Sequence, residues 1–180
     1  SKLTVWKSSR GIHADKIALS QALGLSTESV RVIGPHMGAG YGGKDESRTA
    51  VLASILSMRA QAPVRLELSR EEEFVAGRRR HSTQTTLRMG LKQDGEITAI
   101  HAKTVMDTGA YLSAGPGVAR RAGQGALYLY RCPNVRYEGS LVYTNTPTAG
   151  SYRALGAPQG HYALECVADL AAESLGIDPL

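Results

Sequence analysis

The sequence is poor in cysteine and in aromatic residues, and it has no long apolar run. Its two cysteines, Cys132 and Cys166, are too few for a disulfide framework and show no metal-ligand spacing. No stretch reaches the ~18 apolar residues of a membrane span, and no apolar leader is visible at the start. We therefore expect a cytoplasmic protein with no metal held by its side chains and no membrane partner.

An initiator methionine is also missing, and the chain stops where a predicted helix gives way to a turn. Both ends look cut, so we expect the 180 residues to be a piece of a larger molecule. With 42% hydrophobic and 21% charged residues, the composition is that of a globular domain and excludes a disordered chain. The net charge of +5 suits an anionic partner. Alternatively, it is the charge of one basic domain within a larger and more acidic protein.

Hydrophobic periodicity predicts strands and helices that alternate and are followed by a hairpin. Strands are predicted at residues 1–9, 30–33, 64–68 and 135–144, and helices at residues 12–23, about 45–60 and 159–175. Asp94-Gly95 between two alternating runs predicts a type I′ turn, and the Gly/Ala-rich stretch 109–125 predicts a loop. The helix at 45–60 is apolar nearly all round, which predicts that it is buried. This order of elements predicts an α+β fold with a mixed sheet.

A glycine-rich loop, residues 34–43, separates a predicted strand from a predicted helix. Gly38, Gly40 and Gly43 satisfy the pattern G-x-G-x-x-G. Because the loop carries few Cβ atoms and precedes a helix, its backbone N–H groups can approach an anion closely. The alternative is a glycine turn that only packs the helix against the strand, and the motif alone leaves both open.

Two nucleotide-binding motifs fit this loop in part. Lys44 continues the start of a P-loop, but Asp45 stands where Ser or Thr should hold Mg²⁺, and its carboxylate would repel phosphates. A dinucleotide-binding fold would continue in regular βαβ units, and the hairpin at Asp94-Gly95 argues against that. A nucleotide-binding domain that uses Gly38–Gly43 is kept as an alternative.

These segments together resemble the molybdenum hydroxylases, the family of xanthine dehydrogenase, aldehyde oxidase and carbon monoxide dehydrogenase. Residues 38–44, GAGYGGK, resemble the family segment GGGFGGK, and residues 151–159, SYRALGAPQ, resemble its segment AFRGFGxPQ. Residues 77–81 are similar to its GxRH stretch, residues 94–97 to its DGxI hairpin, and residues 176–179 to a common turn. The matches occur in family order over nearly the whole chain.

The resemblance implies that residues 1–180 are a portion of the molybdopterin-binding domain of a larger catalytic subunit. It implies a two-layer α/β sandwich with a mixed sheet. It also implies that two loops line the molybdenum cofactor, with cofactor-binding residues Gly40, Tyr41, Gly42, Gly43, Ser151, Tyr152 and Arg153.

The family's substrate-binding positions fall on Asp45, Arg121 and Leu155. Asp45 stands where a longer Glu orients the purine, and Arg121, counted back from Tyr152 without gaps, stands where an Arg holds it. Leu155 replaces an aromatic ring that often stacks on the substrate. This departure leaves the substrate open among a purine, another N-heterocycle, an aldehyde and an aromatic thioester.

The resemblance further implies hydroxylation of an electron-poor carbon with water as the oxygen source. The protein supplies positioning, charge stabilisation and a base to a molybdenum-molybdopterin cofactor. Iron–sulfur clusters and FAD are expected on partner domains or subunits, and the full enzyme is compatible with a homodimer. The catalytic Glu and the remaining pterin-binding segments are expected outside this chain, so no residue here is assigned as catalytic, and Glu165 resembles a scaffold acid. The isolated segment is therefore expected to be inactive.

The run Arg78–Arg80 is the one feature that suggests nucleic acid. No aromatic residues interleave with it and no recognition module is visible, so we expect no nucleic-acid partner. His81 is expected to be a loop or strand-edge residue, because no second ligand stands at metal spacing. A non-catalytic interaction domain that retains the family fold is the other alternative, and the intact Tyr152-Arg153 and Gly42-Gly43 pairs argue against it.

Overall fold

The computed structural model describes residues 2–179, so the predictions made for Ser1 and Leu180 lie outside the described residues. The chain divides into two compact units, Ser1–Gly77 and Arg78–Leu180. Each unit has a hydrophobic cluster of its own. No helix within residues 2–179 is both long enough and apolar enough to span a membrane.

The first unit combines two short parallel strands with three helices. Its elements are β1 (Leu3–Trp6), α1 (Ile12–Leu23), β2 (Val30–Ile33), α2 (Arg48–Ala60) and α3 (Arg70–Ala76), with a 3-10 turn at Thr27–Ser29. β1 and β2 pair with Leu3 opposite Val30. The core of the unit is formed by Val5, Leu19, Val30 and Ala50.

Local capping signals fix the ends of two helices in this unit. α1 ends at Gly24, which has a φ of +66°, a left-handed conformation that glycine adopts at little cost. α3 begins after Ser69, whose hydroxyl accepts a hydrogen bond from the Glu72 amide at 3.2 Å. The Glu72 carboxylate accepts one from the Ser69 amide at 2.7 Å, which completes a capping box.

Two predictions for the first unit are wrong. Residues 64–68 have the alternating exposure of a strand but form none, because no described strand pairs with them. α2 begins at Arg48 instead of near Asp45, and it buries Ala50 and Ser54 alone. Its other large apolar side chains are 41–49% exposed: Leu52, Ile55, Leu56 and Met58. The pattern that predicted a buried helix therefore belongs to a helix with an uncovered apolar face.

The second unit is built on a three-stranded mixed sheet. Its elements are β3 (Thr83–Leu91), β4 (Ile97–Gly109), α4 (Gly115–Leu127), β5 (Asn134–Tyr143) and α5 (Ala157–Leu175). The order is β3-β4-β5, antiparallel between β3 and β4 and parallel between β4 and β5. α4 and α5 pack on each other, α4 contacts β4 and β5, and α5 contacts β3. This is the predicted α+β arrangement with a mixed sheet.

The β3–β4 hairpin forms where it was predicted, but the predicted type I′ turn is wrong. Gly95 has a φ of +88°, whereas Asp94 is not left-handed as a type I′ turn requires. The Gly95 amide donates to the Lys92 carbonyl at 3.1 Å, and the Lys92 amide donates to the Glu96 carbonyl at 2.9 Å. A three-residue loop with a left-handed glycine therefore replaces the two-residue turn.

The predicted loop at residues 109–125 is also wrong, because most of it forms α4. A Cβ on Gly160 would lie 2.1 Å from the Ala122 carbonyl oxygen, and one on Gly125 would lie 2.6 Å from the Ala157 carbonyl oxygen. Gly125, one of the glycines that suggested a loop, is thus required where α4 closely approaches α5, as Gly160 is on α5 itself.

Candidate functional site

The glycine loop lies between β2 and α2 in the first unit. Tyr41 and Gly42 are consecutive residues with left-handed backbones, with φ of +49° and +103°. The Gly43 amide donates to the Gly40 carbonyl at 3.0 Å, which closes a turn with these two residues at its centre. The Tyr41 side chain is exposed. The loop therefore bends sharply at the predicted cofactor-binding residues.

The glycines of this loop have open space beside them. A Cβ on Gly38 would meet no described atom within 4 Å, and one on Gly43 would meet only the Gly40 carbonyl oxygen, at 3.9 Å. Packing within the described residues therefore does not require glycine at these two positions. The free volume instead allows a bound group to approach the main chain.

Asp45 has a partner that the sequence did not reveal. The Arg10 guanidinium Nη1 lies 3.1 Å from Asp45 Oδ1 and 3.4 Å from Oδ2. A Cβ on Gly40 would lie 3.2 Å from Arg10 Cδ, so the arginine also passes close to the loop. The predicted substrate-binding carboxylate is thus presented together with a cation.

The second loop, residues 149–156, precedes α5 in the second unit and has an unusual backbone. Ala154, Leu155 and Gly156 are three consecutive left-handed residues, with φ of +65°, +51° and +95°. Each non-glycine residue in such a conformation costs about 1–3 kcal/mol, so the surrounding structure must hold it. The predicted cofactor-binding residues just before them differ in exposure, since Ser151 is buried and Tyr152 is exposed.

Arg80 holds this loop from outside. Its guanidinium carbon lies 4.6 Å from the centroid of the Tyr152 ring. Nη2 donates to the Arg153 carbonyl at 2.8 Å, and Nη1 donates to Gln159 Oε1 at 3.2 Å. One planar guanidinium therefore connects the loop to the first turn of α5. The sequence showed the arginine run, but the contact across 73 residues left no local signal.

Arg79 braces the start of the same loop. It forms a β-bridge with Ala149, its carbonyl accepts from the Gly150 amide at 3.1 Å, and its Nε donates to the Pro147 carbonyl at 3.0 Å. Its Nη2 lies 2.5 Å from Asp107 Oδ2. The arginine run that suggested nucleic acid is therefore a structural brace for the loop.

Asp107 anchors this network at the end of β4. Its Oδ1 accepts hydrogen bonds from the Thr144 hydroxyl and from the Gly109 amide, both at 2.6 Å. The Thr144 hydrogen bond, followed by those from Gly109 and Arg79, lowers the pKa of Asp107 from 3.8 to about 2. The carboxylate therefore stays charged and keeps its partners over nearly the whole pH range.

The other two predicted substrate-binding residues, Arg121 and Leu155, lie in the second unit. Arg121 lies on α4, exposed, with Nη1 3.1 Å from Gln124 Oε1. Leu155 is half-buried and packs against the cluster that contains Met106 and Val118. Their contact with a substrate stays a prediction. The structure thus groups Gly40–Gly43 with Asp45 in one unit, and Ser151–Arg153 with Leu155 in the other.

Two further polar residues, His81 and Glu165, have surroundings that favour a structural role over a catalytic one. His81 is buried with both ring nitrogens lacking a hydrogen-bond partner, and burial followed by the nearby Arg79 lowers its pKa. Glu165 accepts a hydrogen bond from the Tyr130 hydroxyl at 2.9 Å, which agrees with a scaffold acid. Within residues 2–179, no three His, Cys, Asp or Glu side chains are grouped so that they could hold a metal.

Each of the two units thus contains one sharply bent loop that leads into a helix. The whole chain, residues 1–180, matches the model of the molybdopterin cofactor-binding domain, and the chain belongs to this family. The predicted family and its molybdopterin cofactor are therefore confirmed.

Known proteins of similar sequence and structure support the assignment. The chain is 36% identical over 181 residues to the xanthine dehydrogenase molybdenum-binding subunit of Escherichia coli O157:H7, which covers 100% of this chain and 24% of that subunit. It is 34% identical over 178 residues to the nicotinate dehydrogenase large molybdopterin subunit of Eubacterium barkeri, which covers 99% of this chain and 42% of that subunit.

The fold matches a solved structure closely. The aldehyde oxidoreductase from Desulfovibrio gigas superposes with a TM-score of 0.92 at 28% identity, covering 99% of this chain and 20% of that chain. The predicted fold class is thereby confirmed. The chain spans about a quarter of the length of the Escherichia coli relative.

Proposed function

We propose that this chain supplies two loops of a molybdenum-molybdopterin site in a molybdenum hydroxylase. Residues 1–180 would form a portion of the molybdopterin-binding domain of a larger catalytic subunit. The residues that would hold the cofactor are Gly40, Tyr41, Gly42, Gly43, Ser151, Tyr152 and Arg153. The observation that carries this proposal is the open, left-handed main chain at Tyr41-Gly42 in a chain of the molybdopterin-binding family.

The residues present fit such a group. Beside Gly43 only the Gly40 carbonyl oxygen lies within 4 Å of where a Cβ would be, so a cofactor has room against the main chain there. In the second loop, the left-handed run after Arg153 and the contacts from Arg80 hold the backbone in one conformation. A loop fixed before binding loses little conformational entropy when the cofactor arrives.

The cofactor, when bound, supplies the oxidation, which is hydroxylation of an electron-poor carbon with an oxygen atom from water. The chain's own residues contribute binding and orientation. No residue of this chain is assigned as the base. Glu165 already accepts the Tyr130 hydroxyl, and its Oε1 is buried, which suits a scaffold role.

An N-heterocycle is the substrate class we favour. The relatives named for xanthine and for nicotinate act on nitrogen heterocycles, whereas the aldehyde oxidoreductase shares a lower identity. The Arg10–Asp45 pair would offer a heterocycle both hydrogen-bond donors and an acceptor. Arg121 would add a planar donor fork, and Leu155 would border the substrate without stacking on it.

The partners would be the remaining molybdopterin-binding segments together with iron–sulfur and FAD-containing domains or subunits. This follows from the chain's length, about a quarter of that of a molybdenum-binding subunit. A homodimer of the full enzyme is compatible with this arrangement. A cytoplasmic location fits the two free cysteines, Cys132 and Cys166.

The experiment compares two alanine substitutions in the glycine loop of the full-length subunit. Gly43→Ala places a methyl group in the space proposed for the cofactor and is expected to lower the molybdenum content per subunit severalfold. Gly38→Ala, five residues earlier in equally open space, is the matched control and is expected to retain the metal. Molybdenum is measured by plasma mass spectrometry. Wild-type molybdenum content and activity in Gly43→Ala would contradict the proposed contact.

A further inference from the structure

Residues 63–68 show the side-chain alternation of a strand but pair with no described strand. Alternate side chains are half-buried: Val64, Leu66 and Leu68. Arg65 and Glu67 point to the other side, where Arg65 Nη2 lies 2.6 Å from Glu67 Oε2, as i and i+2 side chains do on one face of an extended chain. Within residues 2–179, no main-chain hydrogen bond joins this segment to another main-chain group.

β1 has an unpaired edge as well. The Lys7 amide donates to the Ile33 carbonyl at 3.0 Å, which continues the parallel ladder between β1 and β2. Main-chain polar groups of successive strand residues point to opposite edges, so those of residues 3, 5 and 7 face β2. The main-chain groups of Thr4 and Trp6 therefore point to the other edge, which no described strand covers.

Both open edges line the same groove, which has a volume of about 910 Å³. Residues 3–8 line it, and so do residues 63–68, and these two segments are called its walls below. Small side chains of α2 also line it: Ala50, Ala53, Ser54 and Ser57. Two segments whose main-chain groups lack partners among the described residues, together with small side chains of α2, therefore line one groove.

We propose that this groove receives a β-strand from another part of the same full-length subunit. The inserted strand would pair with β1 on one side and with residues 63–68 on the other, which gives a four-stranded sheet in the first unit. A strand of six residues spans about 20 Å, which matches the length of the six-residue wall at residues 63–68. This inference does not depend on the cofactor.

An extended backbone suits the groove better than other occupants. Buried main-chain N–H and C=O groups must be paired, and a strand offers both groups on both of its edges. A small ligand would leave most of the two rows unpaired. The relatives supply the length of chain needed, because this chain covers 24% of the Escherichia coli subunit. Alternate apolar residues of the inserted strand would pack on α2 beside Ala50 and Ser54.

Hydrogen exchange in the full-length subunit tests the pairing. The amides within residues 63–68 and the amides of Thr4 and Trp6 are expected to exchange at least tenfold more slowly than those of residues 36–38 of the glycine loop, which serve as the internal control. The measurement is mass spectrometry of proteolytic peptides after timed exchange. If the amides of both walls exchanged as fast as those of the glycine loop, the proposal would be overturned.

Photo-crosslinking identifies the occupant. A benzophenone amino acid placed at Leu66 of the full-length subunit is expected to link to a peptide of the same polypeptide outside these 180 residues. A link to a second copy of the subunit, or no link despite slow exchange at residues 63–68, would overturn the assignment to an internal strand. Mixing isotopically light and heavy subunits before irradiation separates links within one copy from links between copies.

Discussion

The two candidate cofactor loops are built in opposite ways. The loop at residues 149–156 contains three consecutive left-handed residues, and guanidinium groups of Arg79 and Arg80 bind the chain on both sides of its turn. The glycine loop has two left-handed residues, and open space surrounds its Gly38 and Gly43. The loop at residues 149–156 is held by arginines from a distant part of the chain, whereas the glycine loop has open space beside two of its glycines.

This difference separates two reasons for keeping glycine in a loop. At Gly156 glycine is needed because the protein itself occupies the space of a side chain. At Gly43 no described neighbour occupies that space, which agrees with the proposal that the cofactor approaches the main chain there. Substitutions in the two loops should therefore act on different properties, folding stability in the braced loop and cofactor retention in the open one.

The largest effect is expected from Gly156→Ala. This residue has a φ of +95°, and its new Cβ would lie 2.3 Å from the Val118 carbonyl oxygen. Backbone strain and overpacking together should destabilise the second unit by about 3 kcal/mol or more. Gly117→Ala in α4, where a Cβ meets no described atom within 4 Å, is the control and should be neutral or stabilising by up to ~1 kcal/mol. Urea unfolding measures both, and equal midpoints would contradict the role of Gly156.

Removing the guanidinium of Arg80 should have the next largest effect. Arg80→Gln loses the contact with the Tyr152 ring, worth about 0.5–1 kcal/mol, and hydrogen bonds worth about 1 kcal/mol each. Hydrogen exchange of residues 150–158 should accelerate, and molybdenum content of the full-length subunit should fall. Arg80→Lys, which keeps the charge without the planar fork, should lie in between. Arg120→Gln, on the exposed side of α4, is the control. If it accelerated hydrogen exchange as much as Arg80→Gln does, the proposed role of Arg80 in holding the loop would be contradicted.

A pH-dependent effect is expected from Asp107. Its pKa is lowered to about 2 in the folded protein, against an ordinary value of 3.8. A lowered carboxyl pKa contributes stability above the unfolded value, and that stability is lost as the pH falls through the folded value. The contribution should therefore disappear between about pH 4 and pH 2.

Asp107→Asn tests this contribution by acid titration of stability. The variant should be less stable than the wild type at pH 7, and the difference should shrink as the pH falls from 4 to 2. Asp169→Asn, an exposed carboxylate on α5, is the control. A stability difference for Asp107→Asn that stays constant over this pH window would contradict the assigned pKa.

The smallest effect on stability is expected from Gly38→Ala and Gly43→Ala. Neither residue has a positive φ, and a Cβ at either position avoids close contacts. Both variants should unfold within about 0.5 kcal/mol of the wild type, as surface substitutions usually do. Thermal or urea unfolding checks this, and a loss comparable to that of Gly156→Ala would remove the contrast between the loops.

Local signals in the sequence predicted the features that depend on neighbouring residues. Gly24 ends α1 and Gly176 ends α5 as expected, because a left-handed C-cap is a local requirement. The strand Val30–Ile33 was also predicted at its observed bounds. The family motifs marked both bent loops, although no local signal indicated the three left-handed residues in the loop at 149–156.

Features that depend on distant partners were missed or predicted wrongly. The sequence could not reveal that Arg80 reaches Tyr152, because the contact is fixed only when β3 and α5 are in place. Residues 64–68 have strand periodicity but no described partner, and periodicity cannot supply one. The glycines of α4 suggested a loop because helix propensity takes no account of a neighbouring helix.

The uncovered face of α2 has a practical consequence for anyone who produces this segment alone. Leu52, Ile55, Leu56 and Met58 give one helix a row of exposed apolar side chains. Such a row promotes self-association at the concentrations used for crystallisation or spectroscopy. Replacing these side chains with Glu, Lys or Gln, which are good helix formers, should keep the segment monodisperse without disturbing Ala50 and Ser54 beneath them.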